Sequence, residues 1–337
     1  MGPQDPHPDP AEESFYDIDT TQTGEPLPGE PIEQPGPDVW LPPAPQPVFK
    51  QPTFKQPAFK QPPQQPPRPT GFGGGIVSGT LIPVDALQVS GKVPPFESHL
   101  QNLCIKAVFA AGERGGRSSS LNAQVRPAAF FPSEEVWVSF QWWVPPDYPW
   151  SKGQVRKAGG KVIGLVIGQG DASGGRYSST GASFRVMWGW NGGAAPYVYP
   201  QMRSGGKPQS VRDLDQSPEV EQVAQLTSGG THLFTPRGGK DNPAAWPMRF
   251  VAGEFNNVSM DCRLNTPGQK NGILKLTVNG VSRKVTTFRY RNDNSPISHV
   301  SIHPFFGGGS NDYAPPSQTH CYYTNFRFAK TDPFPNN

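Results

Sequence analysis

From about residue 76 onward, the chain consists of short runs in which apolar and polar residues alternate, with Gly, Pro, Asn and Ser between them. The runs have the length of strands and are rich in β-branched and aromatic residues, which is typical of β-structure. Asn279-Gly280 between two runs predicts a tight hairpin, and only residues 211–226 favour a short helix. The clearest runs are 136–144, 161–167, 183–188, 273–278, 300–303 and 322–328.

Many strands without crossover helices indicate an antiparallel sheet architecture. We therefore predict an all-β fold, an antiparallel β-sandwich or jelly roll, formed by a single domain over residues 76–333.

Residues 1–72 have a different composition from the rest of the chain. Of the 42 prolines, 20 precede residue 70, and Phe-Lys-Gln-Pro recurs every five residues from Phe49, Phe54 and Phe59. Such a segment buries too little apolar surface to offset the entropy of ordering, and its prolines favour an extended polyproline-like form. We predict a disordered Pro-rich N-terminal arm. It is either a passive linker or a docking element that offers an aromatic ring and a cation in each repeat.

Charge divides the chain in the same way. Residues 1–40 carry ten acidic and no basic side chains, and residues 41–72 carry four basic and no acidic ones. Because the whole chain has a formal charge of +3, the part from residue 73 carries about +9. A basic body suits a polyanion, either an acidic polysaccharide or a nucleic acid, although an ordinary excess of surface cations would give the same count.

Several function classes lack support in the sequence. No apolar stretch approaches the ~20 residues that span a bilayer, and the N-terminus has no signal-peptide pattern, so we expect synthesis in the cytoplasm and no membrane partner. Three widely spaced cysteines, Cys104, Cys262 and Cys321, form neither a disulfide framework nor a zinc pattern. We expect no metal and no cofactor. Nucleic-acid binding lacks a recognition helix or a stacking motif.

Three predicted strands carry polar residues in an ordered series. Alternation places Ser183 and Arg185 on the face opposite Phe184 and its apolar neighbours, so that both face a surface or a groove. Lys161 opens an otherwise apolar strand, and two tyrosines share a face in 197–199. Singly, each has an ordinary explanation: a solvated Lys at a strand edge, a solvent-facing Arg, or tyrosines in packing.

Taken together, the motifs resemble polysaccharide lyase family 14, most closely the cell-wall-degrading lyases of chlorella viruses. They are Gly-Gly-Lys-x-x-Gly-Leu at 159–165, Ser-Gly-Gly at 173–175, Ser-x-Arg-x-Met-Trp at 183–188 and Tyr-x-Tyr at 197–199, with further likeness at 264–268 and 305–308. The resemblance implies a β-jelly-roll lyase with its active site on one sheet face. It assigns the functional residues to Lys161, Ser183, Arg185, Tyr197 and Tyr199. Gly189 departs from the family, which usually has Arg at that place.

These residue types suit β-elimination from a uronate. Arg185 pairs with the carboxylate and stabilises the charge that develops there, and Ser183 donates a supporting hydrogen bond. Lys161 and one of Tyr197 or Tyr199 divide the base and acid roles, and the sequence leaves open which does which. Groups this basic predict activity that rises toward alkaline pH.

Two other functions remain open from the sequence. One is a carbohydrate-binding β-sandwich without catalysis, and the other is a virion structural or attachment protein tethered by the arm. We expect an acidic polysaccharide as the partner, with action on a host cell wall and association with a virion as hypotheses. His232, His299, His303 and His320 are read as surface or packing residues that could join a substrate groove.

Overall fold

The computed structural model describes residues 79–116, 119–150, 159–169, 172–173, 176–202, 208, 211–226, 231–234, 246–307 and 311–334. All of them belong to one compact unit. The predicted arm, its repeats and the boundary between residues 72 and 76 lie outside the described residues, so the domain limits stay a prediction.

Strands account for about half of the described residues. The strands are β1 Thr80–Ile82, β2 Val89–Lys92, β3 Phe96–His99, β4 Asn102–Phe109, β5 Asn122–Val125, β6 Glu135–Trp143, β7 Gly160–Gly168, β8 Gly181–Trp188, β9 Gly193–Tyr199, β10 Ala224–Leu226, β11 Thr231–Leu233, β12 Met248–Arg249, β13 Phe255–Arg263, β14 Gly272–Val278, β15 Val281–Phe288, β16 Ile297–Ile302, β17 Phe305–Phe306 and β18 Thr319–Ala329. One α-helix, α1, covers Pro218–Val223. Short 3-10 turns cover Val84–Ala86, Trp190–Gly192, Arg212–Leu214 and Asn311–Tyr313.

The strands pair into two antiparallel sheets. Sheet I has the order β15-β14-β13-β6-β18-β4-β3, with β1 added to β18. Sheet II has the order β10-β11-β9-β8-β7-β16-β5-β2, with β12 added to β9 and β17 to β7. The predicted antiparallel β-sandwich is confirmed.

The core lies between the inner faces of the two sheets. Phe140 and Trp142 of β6 join Leu165 of β7 and Phe184 of β8 in one cluster of buried side chains. A hydrogen bond from Tyr323 Oη to Val162 O, 2.6 Å long, connects β18 of sheet I directly to β7 of sheet II. Burying each large apolar side chain contributes about 1.5–3 kcal/mol, so this shared core fixes the position of the central strands of sheet II.

Two local predictions have different outcomes. The hairpin at Asn279-Gly280 is confirmed: both residues have positive φ, 50° and 82°, as a type I′ turn requires. The helix expected over 211–226 is shorter. It begins with Pro218, whose fixed φ suits the first helical position, and ends at Val223 because the next three residues pair with β11 as β10.

The three cysteines are buried free thiols. No helix within the described ranges is long and apolar enough to cross a membrane.

Candidate active site

The five predicted site residues lie on three adjacent strands of sheet II. Lys161 is on β7 opposite Met187 of β8. Arg185 of β8 lies opposite Tyr197 of β9, and Ser183 lies opposite Tyr199. Neighbouring strands are ~4.8 Å apart, so these side chains gather on one patch of the sheet.

The alternation of β8 explains why this patch is polar. Phe184, Val186 and Trp188 point into the core, and the intervening residues Ser183 and Arg185 therefore face the other side of sheet II. On β9 the same alternation sends Val198 into the core and the two tyrosines to the outer face. The sequence pattern had predicted both alternations.

The patch is covered rather than open. Lys161 is 3% exposed and Arg185 7%, and the other three site residues are 1% exposed or less. Ala172, Tyr177 and Leu214 form a small apolar cluster over the tyrosines. The interpretations of Lys161 as a solvated edge residue and of Arg185 as a solvent-facing cation are therefore wrong.

Lys161 sits against an aromatic ring. Its Nζ lies 4.6 Å from the ring centroid of Phe305, which is its partner across the β7–β17 pair. A cation over a ring face is stabilised by the ring quadrupole, by up to about 2 kcal/mol where water is excluded. Phe305 therefore helps to retain the ammonium at a position with little water.

Ser183 makes a bond that the sequence did not reveal. Its Oγ donates to Ala172 O at 2.6 Å. A hydroxyl has one proton and two lone pairs, so in this state Ser183 can only accept from a further group. Its predicted role as a donor to the substrate requires the Ser183–Ala172 bond to break.

The tyrosines form a hydrogen-bonded pair. Tyr199 Oη donates to Tyr197 Oη at 3.2 Å, and the rings meet edge to face with centroids 5.2 Å apart. Tyr177 packs on Tyr199 with centroids 5.1 Å apart and shares a 3.3 Å hydrogen bond with Thr231. Burial raises the pKa of Tyr177 to about 12, so this third phenol stays protonated.

Arg185 crosses the neighbouring strand over a glycine. A Cβ placed on Gly164 would lie 2.7 Å from Arg185 Cγ, and Gly164 is the residue opposite Arg185 on β7. The absence of a side chain at Gly164 therefore lets the Arg185 stem lie flat across β7. The Gly in the sequence motif thus shapes the site without contributing chemistry of its own.

His299, expected from the sequence to be a surface or packing residue that could join a substrate groove, lies on the same face. It lies on β16 opposite Val166, which in turn lies opposite Ser183. Burial, together with the charges of Arg126 and Arg185, lowers the pKa of His299 to about 4, so the ring is neutral at neutral pH.

The tautomer of His299 follows from its neighbour. Ser298 Oγ donates its proton to Val166 O at 3.1 Å, and it lies 2.9 Å from His299 Nδ1. While Ser298 gives its proton to Val166 O, its oxygen accepts from Nδ1–H, which is one of the two tautomers that this contact allows. In this tautomer, His299 Nε2 carries the lone pair and can only accept.

His232 is the second histidine on this face. Its ring lies edge to face with Tyr197, with centroids 4.4 Å apart, and it is the cross-strand partner of Tyr197 on β11. Burial lowers the pKa of His232 to about 4, so it too is neutral. Of the other two histidines considered from the sequence, His303 contacts Gly116 O and lies edge to face with Phe305, the ring beside Lys161, whereas His320 is on β18 of sheet I.

Carboxylates do not provide an alternative chemistry here. Within the described ranges, no three or more His, Cys, Asp and Glu side chains are grouped so that they could hold a metal ion. Of the two adjacent glutamates, Glu134 pairs with Arg291 and Glu135 belongs to β6 of sheet I. They do not form the facing pair that glycoside hydrolysis requires.

The chain is similar to known proteins in both sequence and fold. The family model of polysaccharide lyase 14 matches residues 105–326. Exolysin of Paramecium bursaria Chlorella virus 1 is 28% identical over 169 residues, and the alignment covers 46% of this chain and 23% of exolysin. The chain therefore spans about a quarter of the length of that relative.

Two solved structures have the same fold. Alginate lyase vAL-1 from Chlorella virus matches with a TM-score of 0.55 at 21% identity, over 73% of this chain and 93% of its own. The marine alginate lyase from Aplysia kurodai matches with a TM-score of 0.54 at 20% identity, over 72% and 89% of the two chains. The family match covers more than half of the chain and includes all five predicted site residues. The chain belongs to polysaccharide lyase family 14.

Proposed function

We propose that this protein cleaves uronate-containing polysaccharide by β-elimination. The observation that carries the proposal is the grouping of Lys161, Arg185 and Tyr197 on one covered patch of sheet II. This reaction needs a cation that binds the uronate carboxylate, a base and an acid. The Arg185 guanidinium and the two flanking proton-transfer groups supply this set.

Strand order places the two proton-transfer groups on opposite sides of Arg185. Lys161 is on β7 and Tyr197 is on β9, with β8 between them, so the two strands that carry them are about 9.6 Å apart. A uronate whose carboxylate is bound by Arg185 lies between the two side chains. One group then faces C5, and the other faces O4 of the bond that breaks.

We assign the base to Tyr197 and the acid to Lys161. Tyr199 donates a hydrogen bond to Tyr197 Oη, and Arg185 is the cross-strand neighbour of Tyr197, so a hydrogen-bond donor and a cationic residue adjoin the proposed base. The Tyr197 phenolate takes the C5 proton, and the electron pair forms the C4–C5 double bond. The C4–O4 bond breaks, and O4 takes a proton from the Lys161 ammonium.

The substrate we propose is alginate or a glucuronate polymer in a host cell wall. The two structural relatives are named alginate lyases, and exolysin comes from a virus of Chlorella. We further propose that residues 1–72 dock the enzyme to a virion or to the wall, because each Phe-Lys-Gln-Pro repeat offers a ring and a cation.

The direct test is to incubate the full chain with alginate, polyglucuronate and algal cell wall and to follow the absorbance of the unsaturated product. We expect a signal that increases from neutral to alkaline pH. Lys161→Ala and Tyr197→Phe should each remove most of the activity. Lys284→Ala, at an exposed position on β15, should leave it unchanged.

The outcomes separate the candidate functions. If no substrate gives the product at any pH, the lyase proposal is overturned. If the protein binds the polymers but forms no product, it is a carbohydrate-binding module.

A further inference from the structure

A cavity of about 420 Å3 lies at one end of the central strands of sheet II. It is lined by Gly168 at the end of β7, by Ser298 of β16 and by Arg126, which directly follows β5. Gly168 is four residues beyond Gly164, the glycine under Arg185, which is about 13 Å along the strand. The cavity is therefore near the proposed catalytic patch but distinct from it.

Arg126 is the cation of this cavity. Its side chain is exposed, and among the described residues no carboxylate lies within ion-pairing distance of it. The carboxylate that shares the cavity, Asp293, is already engaged: Oδ2 accepts from Gln201 Nε2 at 2.8 Å, and Oδ1 accepts from Ser295 N at 2.9 Å. Arg126 is thus available to an anion.

The strand register connects Arg126 to the catalytic patch. Tyr199, Ser183, Val166 and His299 lie opposite one another on β9, β8, β7 and β16. Val125 pairs with Val300, so one further residue brings Arg126 level with His299. The row extends from Tyr199 to Arg126 across the sheet.

His299 occupies the middle of this row. The charges of both Arg126 and Arg185 act on its ring, and the ring is neutral, with its Nε2 able to accept a hydrogen bond. Arg185 lies two residues along β8 from Ser183, in the adjacent row, so a polymer that passes from Arg185 to Arg126 has the neutral His299 ring between two guanidinium groups. Three strand spacings separate β8 from β5, or about 14 Å, so the two arginines suit different sugar units.

We propose that the cavity is a remote subsite, in which Arg126 binds the carboxylate of a second uronate unit of the same polymer. The inference rests on the proposed function, because it assumes that the sugar to be cleaved binds at Arg185. It predicts that the protein favours longer polyuronate chains over short ones. Polymer length and regular carboxylates, rather than one sugar alone, would then define the substrate.

Binding measurements test the subsite independently of turnover. The affinity of purified oligouronates of two and of five units is measured by calorimetry on the full chain carrying Lys161→Ala, with and without Arg126→Ala. We expect Arg126→Ala to weaken binding of the longer oligomer about tenfold, or about 1.4 kcal/mol, and to leave the short one unchanged. Arg283→Ala removes an exposed arginine of β15 as the matched control and should change neither.

Two further results separate the remaining explanations. The longer oligomer with its carboxyl groups reduced to alcohols should bind equally to the two proteins, because the lost contact is to a carboxylate. Equal weakening of short and long oligomers by Arg126→Ala would overturn the subsite, as would no weakening of either. An enzyme that forms no product but shows the length-dependent loss would refute the lyase proposal and keep the subsite.

Discussion

Arg185 owes its position to the residue beneath it. The side chain of Arg185 crosses β7 only because Gly164 has no Cβ, and an added Cβ would approach Arg185 Cγ to 2.7 Å and Phe184 O to 3.1 Å. Arginine binds a carboxylate with two parallel hydrogen bonds, so its geometry tolerates little displacement. If Arg185 binds the carboxylate as proposed, Gly164 is thus needed to position it.

We expect Gly164→Ala to reduce kcat/KM at least about tenfold, a loss of about 1.4 kcal/mol of transition-state stabilisation, while the protein stays folded. Steady-state kinetics on the best substrate, together with thermal unfolding, measure both effects. Gly159→Ala is the matched control, because its Cβ would meet no atom closer than 3.8 Å. Equal activity of the two variants would show that the function of Arg185 does not depend on its side chain lying across Gly164.

Asp261 is a buried carboxylate on the other sheet. It lies 4% exposed on β13 opposite Lys275 of β14. Lys275 Nζ is directed to Asp332 Oδ2 at 2.8 Å and to Phe334 O at 2.7 Å. Burial, with the charges of Asp332 and Glu135, raises the pKa of Asp261 to about 7 against the opposing charges of Lys275 and Lys284.

The sign of the pH effect follows from this raised pKa. Between about pH 4 and pH 7 the folded state retains a proton that the unfolded state releases, so stability falls as pH rises through this window and is level above it. Asp261→Asn removes the titration. Its stability relative to the unchanged protein should therefore improve by about 3 kcal/mol from pH 5 to pH 8.

Denaturant unfolding at the two pH values measures this difference. Asp85→Asn, at an exposed position, should show no such change between pH 5 and pH 8. A constant difference between Asp261→Asn and the unchanged protein would place the Asp261 pKa outside this range.

At the scale of the elements, the sequence predicted the features that depend only on residues close together in the chain. Alternation located the strands that became β6, β7, β8 and β14, and the Asn-Gly pair located the turn between β14 and β15. The periodicity of two also oriented Ser183 and Arg185 correctly, because it depends only on neighbouring residues.

The contacts that the sequence did not reveal are between strands distant along the chain. His299 meets the site because β16 pairs with β7, although more than a hundred residues separate them. His232 meets Tyr197 because β11 pairs with β9. The cover over the patch, from Tyr177 and Leu214, likewise comes from connecting segments whose path no periodicity specifies. The sequence predicted which segments form strands but not their order in the sheets, and this order determines which residues meet at the site.

At the scale of the whole molecule, one sheet carries the proposed sites and the other packs behind it. Sheet II carries the proposed catalytic patch and the Arg126 cavity. Sheet I supports it from behind, since Tyr323 bonds to Val162 O, one residue after Lys161. The family match over 105–326 includes strands of both sheets, so the catalytic and the supporting sheet both lie within the matched region.

The arm precedes that matched region and should therefore be dispensable for the chemistry. We expect deletion of residues 1–72 to leave turnover of a soluble polyuronate within about twofold, because no residue of the proposed site lies in it, and electrostatic docking changes encounter more than chemistry. On insoluble cell wall, the shortened protein should release less product.

Replacing Lys50, Lys55 and Lys60 with Gln in the full chain is the matched variant: it keeps the length and removes the repeated cations. If this variant releases as little product from cell wall as the deletion does, docking depends on charge. If instead the deletion abolishes turnover of the soluble polymer, the arm belongs to the catalytic unit.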